Sequence, residues 1–193
     1  MSVSIPLLRR DHVHFSLVLD MLDRQADALE QGTKSAVPLI CLGLKYLRNY
    51  PRKVHHPKED AIYAALRHHM VRGVDNLFNA LEEHAELHQE LAAVFAAANS
   101  LANKDGDAVG GFCQRLRHFT TRERRHIEME EAHLYPAAVH MLTPEEWALI
   151  EASCSSEVDP AFGEEAAISF DRMIAEILMR DLASRAPGEW TDA

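Results

Sequence analysis

The stretches His55-His56-Pro57-Lys58-Glu59 and His126-Ile127-Glu128-Met129-Glu130 each contain a His-x-x-x-Glu motif. Each motif follows an acid-histidine pair, Asp11-His12 in the first half of the chain and Glu83-His84 in the second. The two histidines of each half are 43 and 42 positions apart, which indicates an internal repeat. A repeat of about two helices predicts two helical hairpins around a pseudo-twofold axis, where equivalent side chains meet.

The spacing of apolar residues and histidines predicts helices. These residues recur at alternating intervals of four and three positions, as on one face of an amphipathic α-helix. The first helix is predicted over about residues 6–30, a second begins with Ser35 as its cap, and a third begins after Gly73. Glycines predict a loop over residues 99–111, which a fourth helix follows.

The second helix contains two prolines close to the first motif. Pro51 and Pro57 each lack a backbone N–H and crowd the preceding turn. The segment over residues 50–59 is therefore expected to be kinked or divided, which leaves the placement of its ligands open.

Two further helices are predicted in the C-terminal part of the chain. The sequence Thr143-Pro144-Glu145-Glu146 is typical of a capping box at a helix start, and a final helix is expected over about residues 163–184. The predicted fold is all-α: an antiparallel up-down four-helix bundle over residues 1–142, with a helical extension over residues 143–193 packed on it in one domain. Apolar residues of the extension either cover the bundle or mediate formation of a homodimer.

Composition limits the class of protein. The chain has 193 residues, of which 47% are hydrophobic, and a formal charge of −10, so it can bury one core and is expected to bind neither nucleic acid nor an anionic membrane surface. The sequence shows no membrane span and no signal peptide, and its three cysteines lack the spacing of a disulfide framework. A cytoplasmic location is expected.

A buried histidine on its own is more often a satisfied core residue than a ligand. Here five histidines and two carboxylates fall at the same depth of four apolar stripes, where burial without partners would cost several kcal/mol per charged group. A pair of metal ions would satisfy all of them. The predicted ligands are His12, His55, Glu59, His84, His88, His126 and Glu130.

Several ligand assignments remain open in the sequence. His56 with Asp60 is an alternative to His55 with Glu59, and Glu131 is an alternative to Glu130. If His88 turned away, one ion would lose a nitrogen and gain a water.

The sequence allows two roles for several other side chains. Asp11 and Glu83 either orient neighbouring rings or are solvated acids, and Tyr63 and Tyr135 either support the site or pack as aromatic side chains.

The donor set favours iron. Two roughly octahedral ions offer about twelve positions, and five imidazoles, two bridging carboxylates and one oxo or hydroxo bridge leave about one of them vacant. One vacancy predicts one small ligand. A carboxylate-bridged pair inside a helical bundle is typical of a non-haem di-iron centre, and its many neutral nitrogens favour reversible binding of dioxygen over its activation.

The four motifs together resemble those of the hemerythrin-like, or HHE cation-binding, family, over about residues 7–141. The resemblance implies a four-helix bundle with a di-iron centre and the seven ligands named above. Members of that family carry or sense dioxygen, respond to nitric oxide or peroxide, or take part in iron handling and repair. The motifs therefore predict the metal and a ligand such as O2 or NO, and they do not select one task.

Two other functions compete with this one. A ferritin-like oxidase would need Glu-x-x-His motifs on two helices, whereas Glu123-x-x-His126 and Glu130-x-x-His133 lie on one. A structural zinc or mixed-metal site would have closed coordination and no response to oxygen.

Overall fold

The computed structural model describes residues 4–69, 80–101, 106–155 and 164–185. Within these ranges the chain is helical and contains no strand, which confirms the all-α prediction. The α-helices are α1 (Ser4–Glu30), α2 (Ala36–Tyr50), α3 (His56–His69), α4 (Ala80–Asn99), α5 (Gly106–Met129), α6 (Tyr135–Met141), α7 (Pro144–Ser153) and α8 (Glu164–Ser184). No helix of the described ranges has both the length and the apolar character needed to cross a bilayer.

The first helix buries the face that its sequence pattern predicts. Leu8, His12, Phe15 and Leu19 are all buried, and all lie on one stripe of α1. The helix ends at Glu30, and Gly32 two residues later has a φ of 91°, in the left-handed region that glycine adopts without strain. Just beyond it, the N–H of Thr33 donates to the carbonyl of Ala28, which closes the end of the helix.

Four helices contact one another in a closed ring. Helix α1 packs against α2 and α5, and α4 packs against the same two helices on the other side. Helix α2 approaches α1 closely at Gly43, where an added Cβ would lie 2.5 Å from the Cε atom of Met21. Helix α8 packs against α1 and α2, and α7 packs against α3.

Two π-helical turns interrupt the helices that carry the His-x-x-x-Glu motifs. The first turn, Pro51–His55, joins α2 to α3, at the place where the prolines predict a kink or division. The second turn, Glu130–Leu134, joins α5 to α6. Each turn closes with a backbone hydrogen bond between residues five positions apart, from the N–H of His56 to Pro51 and from that of Tyr135 to Glu130. These wider turns change which side chains face the interior.

The apolar interior is divided into two clusters. The larger cluster contains Phe15, Val54 and Phe119, and the smaller contains Leu8, Ile62 and Leu134. On each of three helical segments, the polar motif lies along the chain between a member of one cluster and a member of the other. The polar residues therefore form a layer with apolar packing on both sides.

Other helix boundaries agree with the sequence only in part. The predicted loop over residues 99–111 is too long, because α5 begins at Gly106. The predicted start of the third helix near Gly73 lies outside the described residues. The capping box at Thr143 is confirmed, since its side chain accepts from the N–H of Glu146 and the Glu146 carboxylate accepts from the N–H of Thr143.

Candidate metal centre

The polar layer brings six of the seven predicted ligands together. His12 comes from α1, His55 from the first π-helical turn, Glu59 from α3, His84 from α4, His126 from α5, and Glu130 from the second π-helical turn. All six are buried. The seventh, His88, is half-buried and lies outside the cluster, while His56 lies inside it.

The first donor group consists of His12, His55, Glu59 and Glu130. The Nε2 atoms of His12 and His55 are 3.1 Å apart. Glu59 Oε1 lies 3.1 Å from the Nε2 atom of His55, and Glu130 Oε2 lies 3.2 Å from that of His12. Donor atoms that are each about 2.1 Å from one ion are about 3 Å from each other, so this spacing fits a bound cation.

The second donor group consists of His56, Glu59, His84 and His126. Glu59 Oε2 lies 3.5 Å from the Nε2 atom of His84. Glu130 contributes here as well, because its Oε1 atom lies 3.4 Å from His84 Nε2 and 3.2 Å from His126 Nε2.

Two carboxylates are therefore shared by the two groups. The two oxygens of Glu59 are directed at different groups, and so are the two oxygens of Glu130. Two cations held here would share Glu59 and Glu130 as ligands.

Several atoms that face this centre lack hydrogen bonds although they are buried. Within the described part of the chain, Glu59 Oε2, His84 Nε2 and both carboxylate oxygens of Glu130 have no hydrogen-bond partner. A buried polar atom without a partner costs free energy, and a carboxylate costs more than a neutral group. Two cations, one in each donor group, would satisfy all four of them.

Comparison with protein families gives a match over most of the chain. The model of the hemerythrin HHE cation-binding domain matches residues 3–138. The chain belongs to this family. No curated protein and no solved structure matches the chain.

The acids next to the donors of this hemerythrin-family site support the histidines of other helices. Asp11, which precedes His12, accepts from His55 Nδ1 at 3.3 Å. In the other half Glu83, which precedes His84, lies 3.5 Å from His126 Nδ1. The two acids that the sequence left as either orienting or solvated groups thus occupy equivalent places beside the rings.

The acids that follow the two shared carboxylates form the second equivalent pair. Asp60 accepts from His84 Nδ1 at 2.8 Å, and Glu131 accepts from His12 Nδ1 at 3.0 Å. Neither acid belongs to a donor group, although the sequence left both open as ligands. A carboxylate at Nδ1 fixes the ring and its tautomer, so that Nε2 is the nitrogen directed inwards.

His56 is the one inward histidine supported by another histidine. Its Nδ1 atom is 2.9 Å from His88 Nε2, which leaves the Nε2 atom of His56 for the second donor group. Its ring also stacks on His84, with centroids 3.9 Å apart. The sequence offered His56 only as a replacement for His55, whereas the first π-helical turn brings both histidines into the layer.

Charge around the site is balanced by protons on three imidazoles. Burial lowers the pKa of His12 and of His126, but close contact with the carboxylates and their negative charge outweigh it and raise both to about 10. The same competition raises the pKa of His84 to about 12. Burial and the charge of Glu59 raise the pKa of Glu130. Contacts with His126 and His12 lower it by more, so the net result is a pKa of about 2. In the metal-free site, the protons on these imidazoles therefore supply the positive charge that bound cations would supply.

We expect the supporting acids to control metal affinity. Replacing Asp60 by alanine removes the acceptor at His84 Nδ1 and frees the ring to rotate, so affinity for a divalent metal should fall about 10- to 100-fold. Competition with a chelator measures this change. Glu128→Ala is the control, because Glu128 is an exposed acid of α5. Equal affinities for the two variants would contradict the supporting role of Asp60.

Proposed function

We propose that this hemerythrin-family chain binds two non-haem iron ions at a carboxylate-bridged centre, and that the centre binds dioxygen or a related small ligand such as nitric oxide or peroxide. Its use would lie in sensing, carriage, or iron and oxidative-stress handling. The observation that carries the proposal is the sharing of Glu59 and Glu130 between two donor groups, with each oxygen directed at a different group.

The types of donor favour iron. Imidazole and carboxylate in roughly octahedral sites suit iron, and carboxylate-bridged pairs in helical bundles are a recurring di-iron arrangement. When bound, paired iron supplies electrons and open coordination positions to a small ligand. The inward donors are His12, His55, His56, Glu59, His84, His126 and Glu130. Because five of these seven donors are neutral, we propose that the centre captures a ligand more readily than it oxidises one.

The surrounding fold supports a closed site. We propose that the ring of α1, α2, α4 and α5 is an antiparallel up-down four-helix bundle, with residues 143–193 as an extension in the same domain. Trp147 and Ile150 of α7 belong to the smaller apolar cluster, and Ile177 of α8 belongs to the larger one. Apolar packing on both sides of the polar layer would exclude bulk water and admit only small molecules.

A ferritin-like oxidase has less support. His133 of the Glu130-x-x-His133 motif is exposed, so that motif does not direct both of its donors into the layer. The acid of the other motif, Glu123, is buried, and burial raises its pKa. A raised pKa weakens a carboxyl group as a metal ligand, because the proton competes with the metal.

The proposal is tested by metal content and ligand response together. Protein produced with iron should contain about two iron atoms per chain, one for each donor group. After anaerobic reduction, oxygen, nitric oxide and peroxide are added separately, and the near-ultraviolet and visible charge-transfer bands are followed. A reversible change with oxygen selects carriage or sensing, and irreversible bleaching selects scavenging or iron release. Two zinc ions, with no spectral response after iron loading, would contradict the proposal.

Metal affinity should rise with pH. The metal-free site holds protons on His12, His84 and His126, whose pKa values lie near 10, 12 and 10. Binding must displace protons throughout the range from about pH 6 to 8, which lies below all three, and each displaced proton changes the affinity about tenfold per pH unit. Calorimetric titration with ferrous iron in two buffers of different ionisation enthalpy counts the released protons. Affinity that does not change with pH would contradict this charge balance.

A further inference from the structure

Tyr135 places a phenol oxygen among the atoms of the first donor group. The side chain is fully buried, and its hydroxyl donates to Glu59 Oε1 at 2.5 Å. The same oxygen lies 3.2 Å from His12 Nε2. Its ring stacks on that of His12, with centroids 5.3 Å apart and planes at 12°. Both contacted atoms belong to the first donor group, and both face inwards.

We propose that Tyr135 is a further ligand of this centre, with its phenolate oxygen binding the ferric ion held by His12 and His55. The inference rests on the di-iron function proposed above and adds a ligand to it. The 2.5 Å contact of the phenol oxygen with Glu59 Oε1 is a hydrogen bond of the protonated phenol. The oxygen's 3.2 Å separation from His12 Nε2 falls within the range of 3.1 to 3.6 Å that separates the other donor atoms of the first group. These are distances between ligands of one ion.

The two donor groups become equal in number when Tyr135 is included. The second group has three imidazoles, of His56, His84 and His126, and one oxygen from each shared carboxylate. The first group has only two imidazoles and the other two carboxylate oxygens. Tyr135 supplies the fifth donor on the side where no counterpart of His56 is present. Each ion of an octahedral pair then keeps one position for a bridging or exogenous ligand.

The second π-helical turn explains why Tyr135 reaches the site. Glu130 and Tyr135 are five positions apart, which in a regular α-helix would place them about 140° apart around the axis. The π-helical turn Glu130–Leu134 takes more residues for each turn, so both side chains come onto the inner face. Other tyrosines are placed differently. Tyr50 donates to the supporting acid Asp11, and Tyr63 is only half-buried.

Metal binding changes the protonation of this phenol. The buried hydroxyl of Tyr135 donates its proton to a hydrogen bond with Glu59 Oε1, so the metal-free protein keeps the O–H group. A nearby cation reverses this preference. When iron binds, the O–H bond breaks, the oxygen forms a bond to iron, and the proton passes to solvent, with no change in oxidation state. An anionic ligand stabilises ferric over ferrous iron, which shifts the centre away from simple dioxygen carriage.

The test compares three proteins: the wild type, Tyr135→Phe and Tyr46→Phe. Tyr46 is the matched control, because it is also fully buried but stacks on Tyr50 instead of a donor histidine. Metal-free protein is loaded with ferrous iron and oxidised in air, and iron is counted for each sample. A phenolate bound to ferric iron gives a visible charge-transfer band, and resonance Raman excitation in that band enhances tyrosinate ring vibrations.

The inference predicts that the band and the ring vibrations occur in the wild type and in Tyr46→Phe, and that Tyr135→Phe loses both and shifts its reduction potential upwards. If the wild type holds two ferric ions without tyrosinate vibrations, the inference is overturned and the di-iron function stands. A band that persists in Tyr135→Phe overturns it too. If the wild type binds no iron, the proposed function itself fails. Because the wild-type Raman spectrum decides by itself, poor folding of a variant does not prevent the test.

Discussion

Replacing Glu59 by glutamine is expected to reduce iron content from about two atoms per chain to almost none. Glu59 is buried and gives one oxygen to each donor group, 3.1 Å from His55 Nε2 and 3.5 Å from His84 Nε2. Glutamine has the same shape, but its amide nitrogen is not a ligand and it carries no charge to balance two cations. Both ions therefore lose a donor from one substitution. Iron analysis of the purified variant measures the effect.

The control for this substitution is Glu128→Gln, an identical chemical change at an exposed position of α5. It should keep about two iron atoms per chain. Circular dichroism establishes that both variants are helical, so that metal loss is not mistaken for unfolding. A Glu59→Gln protein that is folded and still retains two iron atoms would show that this carboxylate does not bridge.

The second large effect is expected from His56, and its neighbour His88 provides the contrast. His56→Ala should lose about one of two iron atoms, because the second donor group falls to two imidazoles while His12 and His55 remain on the first. His88→Ala should keep both atoms with weaker affinity, because His88 contacts only the outer nitrogen of His56. Iron counts together with chelator competition separate these two results.

The reverse result would support the ligand set expected from sequence. If His88→Ala lost one iron atom and His56→Ala kept both, His88 would be the ligand. The two rings would then have to exchange places on metal binding. The two variants are expected to differ clearly in iron content, because His56 is buried against His84 while His88 is half-buried.

Much of the fold followed from periodicity. The stripe through Leu8, His12 and Phe15 is a face of α1, and the capping box at Thr143 starts α7 as its residues predict. Such patterns are local, since they depend on the helical repeat and on hydrogen bonds between near neighbours in the chain. The loop is shorter than the glycines over residues 99–111 predict, because α5 begins at one of them, Gly106.

The donor set was less predictable, and for a physical reason. The prediction of His88 assumed that residues four positions apart on a regular α-helix share a face. The π-helical turn at Pro51–His55 brings a different histidine to this place, because it moves His56 into the layer beside His84. A π-helical turn depends on how the prolines and the packing of α2 and α3 accommodate one extra residue. No motif in the sequence specifies that outcome.

The supporting acids could have been found from the repeat. Asp11 and Glu83 hold equivalent positions in the two halves, and the sequence shows this directly. The sequence does not predict which histidine each acid supports, because that histidine lies on a different helix. Tyr135 likewise carries no motif, and only the second π-helical turn brings it to Glu59.

The most direct test of the account is a crystal structure of the iron-loaded protein with anomalous scattering measured at the iron edge. Two anomalous peaks are predicted, one between His12 and His55 and the other among His56, His84 and His126, with Glu59 and Glu130 each bound to both. A single peak, or peaks at which neither carboxylate is shared, would contradict the central claim.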